Sequence, residues 1–374
     1  FDEDGNLIAD LEIWTPIGDN SYTYKGTFDG NNHTISGLYF NNESIDNVGL
    51  FSYNDSGTIK NVGVIDSYFK GKDYVGGVCG YNNNGTIENS YNTGSVSGSN
   101  NVGGVCGYNN GSNSTIEKSY NTGSVSGSEY VGGVCGFNYG TITNSYNTGS
   151  VSGAEYVGGV CGKNYGTITN SYNTGSVSGA KDYVGGVCGY NYGTIKNSYN
   201  TGSVSGSNIA GGVCGYNNDG TIENSYNTGS VSGSNNVGGV CGFNNGTIKN
   251  TYYLETCNAE GTKFTNSYCT AQTSEQFASG EVAYRLGGIW GQKIGTDKLP
   301  VLNGKKVYKN TTYSGCCEKY QGDITYDYSN AQKDAIYLGN HNFKDNICTS
   351  CGTYKPIEPD LKDGYYQIEN ANHL

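Results

Sequence analysis

The sequence lacks methionine and is poor in several residue types that usually build a globular core or a catalytic cleft. Its 374 residues include only 4 Pro, 2 Trp and 3 His, and charged residues make up 14%. Hydrophobic residues reach only 34%, which excludes both a single large aliphatic core and a charge-driven disordered chain. The sequence is instead rich in Gly and Tyr, with 61 and 35 residues. This composition favours a polar repeat protein.

The balance of charge disfavours nucleic acid as a partner. Lys and Arg number 21 against 33 Asp and Glu, so the formal charge is −12, and no basic cluster interrupts it. No apolar run is long enough for a membrane span and no charged-then-apolar leader is present, so we expect no membrane insertion within this chain. Because an initiator Met is missing, we expect a piece of a longer protein whose secretion signal and anchor lie elsewhere.

The sequence contains no recognisable combination of catalytic residue types. His33, His341 and His373 do not recur with a carboxylate or a nucleophile at a useful spacing, and no HExxH motif is present. Carboxylates change identity freely within one repeat column, which contains Glu88, Glu117, Thr143, Thr169, Lys196, Glu223 and Lys249. We therefore expect that the protein is not an enzyme.

Internal repeats of about 27 residues dominate the chain. The nonapeptide SYNTGSVSG occurs six times and begins at Ser90, Ser119, Ser145, Ser171, Ser198 and Ser225. A second block, GGVCG, occurs seven times and contains Cys79, Cys106, Cys135, Cys161, Cys188, Cys214 and Cys241. One repeat divides into three short segments: VGGVCGYN, GTIxNSYN and TGSVSG.

These segments are too short and too rich in Gly for helices, since each Gly costs a helix about 1 kcal/mol relative to Ala. Strands from successive repeats can stack, so that identical side chains pack on each other and every backbone group is paired. The sequence thus predicts an all-β fold, a parallel and right-handed β-solenoid of about eight coils.

Alternation of side chains along a strand assigns the faces. Val96, Ile87 and their copies are predicted to point inward, and the repeat Cys is expected there as a small apolar side chain. Thr93, Ser95 and Ser97 are predicted to point outward. The Tyr of SYN is left unassigned, because a bend can interrupt the alternation.

The repeats divide the chain into four segments. Residues 1–46 are predicted as an N-terminal β cap, residues 47–255 as the solenoid, and residues 256–308 as a C-terminal cap. That second cap is predicted to contain one helix, SEQFASGEVAYRLG, with Phe277, Val282, Ala283 and Leu286 as its apolar face. Residues 309–374 are predicted as a Cys- and His-containing tail and the start of a following module.

The repeat VGGVCGYNxGTIxNSYNTGSVSG resembles the GLUG motif, which is usually written around GGLVGxNxGxIxNSYAxGxVxG. The flanking WTPIG, GTFDGNNHTISGLYFN and TSEQFASGEVAYRLGG segments are similar to the ends of such modules in Gram-positive anaerobes. Two departures are the Cys in place of an aliphatic residue and the Asn in place of Ala. The resemblance implies an extracellular or cell-surface bacterial protein: a stalk, an adhesin unit or a filament subunit. It also leaves open a non-catalytic region of a secreted peptidase.

The cysteines allow several interpretations. Neighbouring coils place the Cα atoms of the column cysteines about 4.8 Å apart, within the range that disulfides tolerate, yet parallel side chains hold the sulfurs apart, so buried free thiols are the main interpretation. Some disulfides, or a metal or redox role, are the alternatives. Cys257 and Cys269 flank a short stretch that a disulfide could close. In the tail, either zinc or disulfides could engage Cys316, Cys317, His341, Cys348 and Cys351.

Tyrosine columns offer an alternative function from another class. Exposed aromatic rings with Asn are typical of carbohydrate-binding modules, and the candidate glycan contacts are Tyr91, Tyr120, Tyr146, Tyr172, Tyr199 and Tyr226. The alternative is that these rings only stabilise neighbouring coils. Isolated carboxylates at DG turns lack the spaced ligand set of a calcium site. We expect no required cofactor, and partners among neighbouring modules, copies of this chain, or host and bacterial glycans.

Overall fold

The repeats wind into a parallel β-solenoid. Equivalent strands of successive coils pair with one another and form four sheets that run along the stack of coils. The computed structural model describes residues 12–257, 263–264, 269–313, 321–328, 336–337, 342–345, 347–349, 361–362 and 365–366. They fall into two compact units that divide between Ser274 and Glu275. About eight coils at a spacing of ~27 residues confirm the predicted fold class.

Each sheet takes its name here from the residues that characterise it. The cysteine sheet comprises Phe51–Asp55, Cys79–Asn83, Cys106–Asn110, Cys135–Asn138, Cys161–Asn164, Cys188–Asn191, Cys214–Asn217 and Cys241–Asn244. The serine sheet comprises Tyr39–Asn41, Tyr68–Lys70, Ser95–Ser97, Val125–Ser126, Val151–Gly153, Val177–Gly179, Val204–Gly206 and Val231–Ser232. The glycine sheet comprises Asp73–Gly76, Asn100–Gly103, Glu129–Gly132, Glu155–Gly158, Val184–Gly185, Ile209–Gly211, Asn236–Gly238 and Lys263–Phe264.

The fourth sheet, the tyrosine sheet, has 17 strands because most coils contribute two short ones to it. It comprises Thr27–Ser36, Thr58–Ile65, Thr86–Glu88, Tyr91–Asn92, Thr115–Glu117, Tyr120–Asn121, Thr141–Thr143, Tyr146–Asn147, Thr167–Thr169, Tyr172–Asn173, Thr194–Lys196, Tyr199–Asn200, Thr221–Glu223, Tyr226–Asn227, Thr247–Lys249, Tyr252–Leu254 and Thr270–Gln272.

The segment predicted as one strand, VGGVCGYN, is divided between the glycine and cysteine sheets. The two glycines at the division lie against neighbouring backbone and side-chain atoms. A Cβ on Gly132 would lie 1.9 Å from the carbonyl oxygen of Cys135, and one on Gly133 would lie 2.3 Å from Cγ of Asn147. Only Gly fits such approaches, so the pair creates a corner that the strand pattern alone does not reveal.

The core is a set of aliphatic and thiol columns along the inside of the coils. Val96, Ile87 and their copies from Val125 to Val231 and from Ile116 to Ile222 are at most 1% exposed, which confirms their predicted direction. Equivalent residues pair directly between coils, as Ile116 does with Ile142. Stacking of identical side chains supplies the burial that a single repeat cannot achieve.

Two columns of asparagine are also buried and are hydrogen-bonded from coil to coil. In the cysteine sheet, each side-chain amide donates to the next side-chain oxygen at 2.7–2.8 Å, from Asn54 to Asn244. In the tyrosine sheet, the same arrangement runs from Asn92 to Asn227 at 2.8–2.9 Å. The buried amides are thereby satisfied within each column, except at its start in the cysteine sheet, where the side-chain oxygen of Asn54 has no hydrogen-bond partner.

Parallel pairing extends into the segment predicted as the N-terminal cap. Residues Thr27–Ser36 pair with Thr58–Ile65, and Tyr39–Asn41 pair with Tyr68–Lys70. Phe51, which replaces the column Cys, packs against the ring of Phe28 at 5.3 Å between centroids. Residues 27–41 therefore form a coil of the solenoid itself.

The second unit begins with two short helices, α1 (Ser274–Ala278) and α2 (Glu281–Leu286). The prediction of one continuous helix is wrong, because Gly280 adopts a left-handed conformation with φ of 90° and interrupts it. The predicted apolar face is buried. The amide of Gln292 donates to the carbonyls of Phe277 and Ala278 at the end of α1.

The remaining strands of this unit are short. Antiparallel pairs join Trp290–Gly291 with Val301–Leu302, Tyr308–Tyr313 with Gln321–Asp327, Phe343–Lys344 with Ile347–Cys348, and Leu361–Lys362 with Tyr365–Tyr366. Residues Ile336–Tyr337 pair in parallel with Tyr308–Tyr313.

Candidate functional site

The seven column cysteines lie inside the solenoid, with no more than 3% of each exposed. They occur in register, so that Cys106 pairs with both Cys79 and Cys135. Each thiol donates to the carbonyl oxygen two residues further along its own strand, at 3.1–3.4 Å, as Cys161 does to Lys163. Cys79 to Cys214 are free thiols. They occupy the interior as small hydrogen-bonded side chains.

Burial opposes ionisation along this column, although hydrogen bonds from the neighbouring thiols lower the pKa of Cys135 and Cys188. It raises the pKa of the thiols of Cys79, Cys106, Cys161 and Cys214 well above the ordinary value, because a thiolate would lose its hydration inside the solenoid. A neutral, inaccessible thiol is a poor nucleophile and a poor metal ligand. The geometry therefore gives these cysteines a packing role.

The other cysteines are only partly described. Cys257 is a free thiol, 2% exposed, so the predicted disulfide with Cys269 is not formed. Cys348 is buried at the end of a short strand. Cys316, Cys317, His341 and Cys351 lie outside the described residues, and zinc or disulfide chemistry there stays a prediction. Over the part of the chain with described positions, no three His, Cys, Asp or Glu residues are grouped to hold a metal ion.

The tyrosines predicted as glycan contacts stack on one another along the coils; Tyr91, Tyr120, Tyr146, Tyr172 and Tyr199 are half-buried, whereas Tyr226 is buried, with 1% of its surface exposed. From Tyr91 to Tyr226, successive ring centroids are 4.7–5.1 Å apart and the ring planes agree within 8°. The first ring lies on the backbone of Gly63, where a Cβ would be 2.3 Å from Cζ of Tyr91. Because each ring covers the face of the next, the half-buried rings from Tyr91 to Tyr199 present only edges and hydroxyls to solvent, and Tyr226 is enclosed.

The outward face of the serine sheet is polar and regular. Thr93 is exposed and Ser95 and Ser97 are half-buried, in agreement with the predicted direction. Ser124 donates to Ser95 across the coils at 3.2 Å. The first two coils differ, because Tyr39 and Tyr68 stack in the column that contains Ser95, and Lys70 lies in the column that contains Ser97.

A second aromatic surface, on the cysteine sheet and its two borders, has a cation at its centre. Lys163 occupies a column position that is Tyr or Phe in every neighbouring coil, as in Phe137 and Tyr190. The ammonium nitrogen of Lys163 lies 5.3–5.9 Å from six ring centroids, those of Tyr130, Phe137, Tyr156, Tyr165, Tyr190 and Tyr192. We call Lys163 and these six rings the lysine cage.

Two stacked rows of tyrosine flank the cage. On the glycine-sheet side, Tyr156 stacks between Tyr130 and Tyr183 at 4.9 and 5.1 Å. On the other side, Tyr165 stacks between Tyr139 and Tyr192 at 5.0 and 4.5 Å. The distances of 5.3–5.9 Å from the ammonium nitrogen to the ring centroids lie within the range of cation–π attraction, which strengthens as the ammonium group loses water.

The backbone of one row is strained. Tyr130, Tyr156 and Tyr183 have φ of 56°, 56° and 63°, a left-handed conformation that is uncommon for bulky residues. The same position contains Asn101 one coil earlier, with φ of 54°. Asn tolerates this conformation better than Tyr, yet Tyr74, at the same position in a coil away from Lys163, also adopts it, with φ of 59°.

The lysine cage remains accessible and polar at its rim. Lys163 is half-buried, while Tyr139 and Tyr165 are 42% and 38% exposed. The hydroxyl of Tyr190 donates to that of Tyr192 at 3.2 Å and accepts from the amide of Asn218 at 3.1 Å. Burial lowers the pKa of Lys163. Of the carboxylates with described positions, none forms a salt bridge with it.

Sequence reasoning missed this surface because its residues come from three positions of the repeat that a corner brings together. The available signal was the exchange of an aromatic residue for Lys163 in one coil, together with tyrosines at Tyr139, Tyr165 and Tyr192 where other coils have Asn. The helices that the structure describes include none that is both long and apolar enough to cross a membrane.

Comparison with known proteins connects the solenoid to a sequence motif. The family model described as the GLUG motif matches residues 73–97, 127–152, 153–178 and 182–205. Halomucin from Haloquadratum walsbyi is 37% identical over 106 residues, which cover 26% of this chain and 1% of the relative. A putative Gly-rich membrane protein from Evansella cellulosilytica is 32% identical over 96 residues, or 22% of this chain and 11% of the relative. The chain thus spans only a small part of either relative.

A solved structure, that of a putative immunoglobulin A1 protease from Bacteroides ovatus, resembles the chain with a TM-score of 0.43. It is 20% identical, and the alignment covers 79% of this chain and 82% of that one. A likeness of this degree supports no functional assignment. The four motif matches all lie within the solenoid, and this part of the chain accordingly contains GLUG-motif repeats in a β-solenoid fold.

Proposed function

We propose that the chain is a non-catalytic structural segment of an extracellular surface protein of bacteria, in which the solenoid serves as a stiff stalk. The observation that carries this proposal is the continuity of pairing: parallel strands follow one another from Thr27–Ser36 to Thr270–Gln272 without a break in the tyrosine sheet. About eight coils at 4.8 Å give a length of roughly 40 Å.

Side chains reinforce this backbone. Each internal coil adds two buried Asn–Asn hydrogen bonds and one stacked tyrosine pair to the backbone ladder, as between Asn147 and Asn173 and between Tyr146 and Tyr172. Bonds of this kind strengthen one another in a low-dielectric interior and resist bending between coils. Most of the structure is therefore devoted to rigidity.

The names of the two relatives, a halomucin and a membrane protein, support a surface location. Adhesion, filament formation and association with a secreted peptidase stay predictions of the sequence resemblance. A filament subunit would use copies of itself as partners, whereas a stalk would remain monomeric.

The test is antibody labelling of the full-length protein on its own cells, combined with negative-stain electron microscopy. A stalk at the surface predicts labelling of intact cells by antibodies against the repeats, and straight rods in the purified protein. Labelling that requires permeabilised cells would contradict the surface location. Light scattering at high concentration separates the stalk from a filament subunit, because only the subunit assembles.

A further inference from the structure

The geometry points to the lysine cage as a binding site for a glycan that carries a carboxylate, such as a uronic or sialic acid unit. This inference goes beyond the structural role and does not depend on it, because a stalk needs no ligand. It assigns Lys163 to the carboxylate and the surrounding tyrosine hydroxyls to the sugar hydroxyls.

The charge of the site calls for an anion. Lys163 forms no salt bridge in the described part of the chain, and the Glu129 carboxylate acts on it only at longer range, in contrast to Lys118 and Lys181, which pair with Glu117 and Glu155 at 3.0 Å. Six surrounding rings hold its ammonium group in place. A partly desolvated, preoriented cation binds a carboxylate more strongly than a mobile surface lysine does.

The arrangement of the rings favours the same ligand. The rings of Tyr139, Tyr165 and Tyr192 stack on one another, so their edges are directed outward. Ring edges carry the positive part of the aromatic quadrupole and attract oxygen atoms. An oxygen-rich sugar with a negative charge fits these edges better than an apolar peptide.

The hydroxyls and amides at the rim add the directional contacts that sugars require. Tyr190, Tyr192 and Asn218 already form a connected hydrogen-bond network, and the amide of Asn245 extends it by donating to the hydroxyl of Tyr216 at 2.8 Å. Such groups can exchange bonds with sugar hydroxyls without leaving a partner unsatisfied.

The lysine cage contains one cation, and the whole chain has a formal charge of −12, which limits how much negative charge a ligand can carry. Densely charged polymers such as nucleic acids or polyphosphates would be repelled by the rest of the chain. A glycan with one carboxylate among many hydroxyls matches a site with one lysine among tyrosine hydroxyls.

The experiment uses isothermal titration calorimetry with two matched pairs of probes on the whole chain. The pairs are oligogalacturonate with its methyl ester, and sialyllactose with lactose. The expected result is that at least one acidic probe binds about tenfold more tightly than its neutral counterpart, because a charge-assisted hydrogen bond contributes about 1.5–3 kcal/mol.

Three variants locate the site. Lys163→Gln is expected to abolish the preference for the acidic probe, and Tyr192→Asn, which copies the residue at position 218, is expected to weaken binding several-fold. Lys249→Gln removes an exposed lysine on the tyrosine sheet and is expected to change nothing. Lys163→Tyr reproduces neighbouring coils, so its fold should be intact by circular dichroism while the acidic preference is lost.

The proposal is overturned if neither acidic probe is preferred over its neutral partner. It is equally overturned if Lys163→Gln binds as well as the parent chain. Binding of a poly-glutamate peptide that depends on Lys163, without any binding of the acidic sugars, would assign the site to acidic peptides and also contradict the proposal. Each of these results leaves the structural role unaffected, since that role is tested by labelling and microscopy.

Discussion

The side-chain amide of Asn138 donates to the side-chain oxygen of Asn164 in the next coil at 2.8 Å, and both residues are fully buried. The same amide also donates to the carbonyl of Gly140 at 3.0 Å, while its oxygen accepts from Asn109 at 2.8 Å. Donor and acceptor atoms of the side chain are all used, and the polarity of the column is the same in every coil. A substitution that replaces the donor by an acceptor therefore conflicts with the oxygens of Asn164 and Gly140, while Asn109 keeps its acceptor.

Asn138→Asp is expected to destabilise the solenoid by about 3–5 kcal/mol, which is the usual effect of an uncompensated buried charge. The new carboxylate would face two oxygen acceptors inside the core. Urea unfolding followed by circular dichroism measures the change. The matched control is Asn84→Asp, because Asn84 is exposed, and its effect should stay within about 0.5 kcal/mol. Equal effects of the two substitutions would show that the column contributes no specific stability.

Lys118 occupies a left-handed position that is otherwise Asn. Its φ is 47°, and the equivalent residues, with φ of 46–51°, are Asn89, Asn144, Asn170, Asn197, Asn224 and Asn250. Lys118→Asn is expected to raise the midpoint of urea unfolding, since Asn adopts this conformation more readily. The reverse change, Asn144→Lys, should cost about 1 kcal/mol.

Loss of the ion pairs between Lys118 and Glu88 or Glu117 is the competing effect. Because these pairs are exposed, their contribution is small. Lys118→Gln removes the charge but keeps the unfavourable backbone, so it serves as the control and should not raise the midpoint. A higher midpoint for Gln than for Asn would exclude the backbone explanation.

The sequence predicts the solenoid well because the repeat length and the apolar columns are local and periodic. Val96 and Ile87 follow directly from alternation along a strand. The corner at Gly132 and Gly133 does not, because it depends on close approaches between coils. The direction of Tyr91 was open for the same reason, since ring stacking on Tyr120 exists only once the coils are in register.

The lysine cage illustrates the limit most clearly. Tyr130, Lys163 and Tyr165 belong to different positions of the repeat, and only the geometry of the corners shows that their side chains meet. Similarly, the break in the predicted helix arises at Gly280, whose neighbours Ile294 and Val307 are distant in sequence. Contacts between different positions of the repeat, or between distant parts of the chain, therefore cannot be predicted from the sequence pattern.

Stability is expected to fall at alkaline pH. Burial raises the pKa of the thiols of Cys79, Cys106, Cys161 and Cys214, and raises the pKa of Tyr81 and Tyr156 to about 12. In the unfolded chain, thiols ionise near pH ~8.5 and tyrosines near ~10. Above these values the unfolded chain releases protons that the folded chain retains, so the free energy of unfolding decreases.

Urea unfolding in reducing buffer at several pH values tests this expectation. The free energy should change little from about pH 5 to 7, where the tyrosines and the thiols with a raised pKa stay protonated in both states, and should decrease above about pH 8.5. The double variant Cys106→Ala, Cys161→Ala should decline less between about pH 8.5 and 10, because fewer thiols contribute there. A free energy that stays constant up to about pH 10 would contradict the role of burial.

Removal of one whole coil should leave the solenoid folded, because each coil contacts mainly its neighbours. Deletion of residues 198–224 joins Asn197 to Ser225, and Asn197 has the same φ of 49° as the deleted Asn224. All columns then continue in register, with Cys188 on Cys241 and Tyr172 adjoining Tyr226. The shortened protein should be about 4.8 Å shorter by small-angle scattering, and its urea m-value should be lower in proportion to the lost surface.

Deletion of only residues 198–210 is the matched control, because it joins the tyrosine sheet to the glycine sheet out of phase. This variant should lose several kcal/mol of stability, since apolar columns and the asparagine ladders cannot pair across the junction. If the whole-coil deletion were as damaging as the partial one, the coils would not be exchangeable units. The stiffness attributed to the stalk would then depend on particular coils rather than on their repetition.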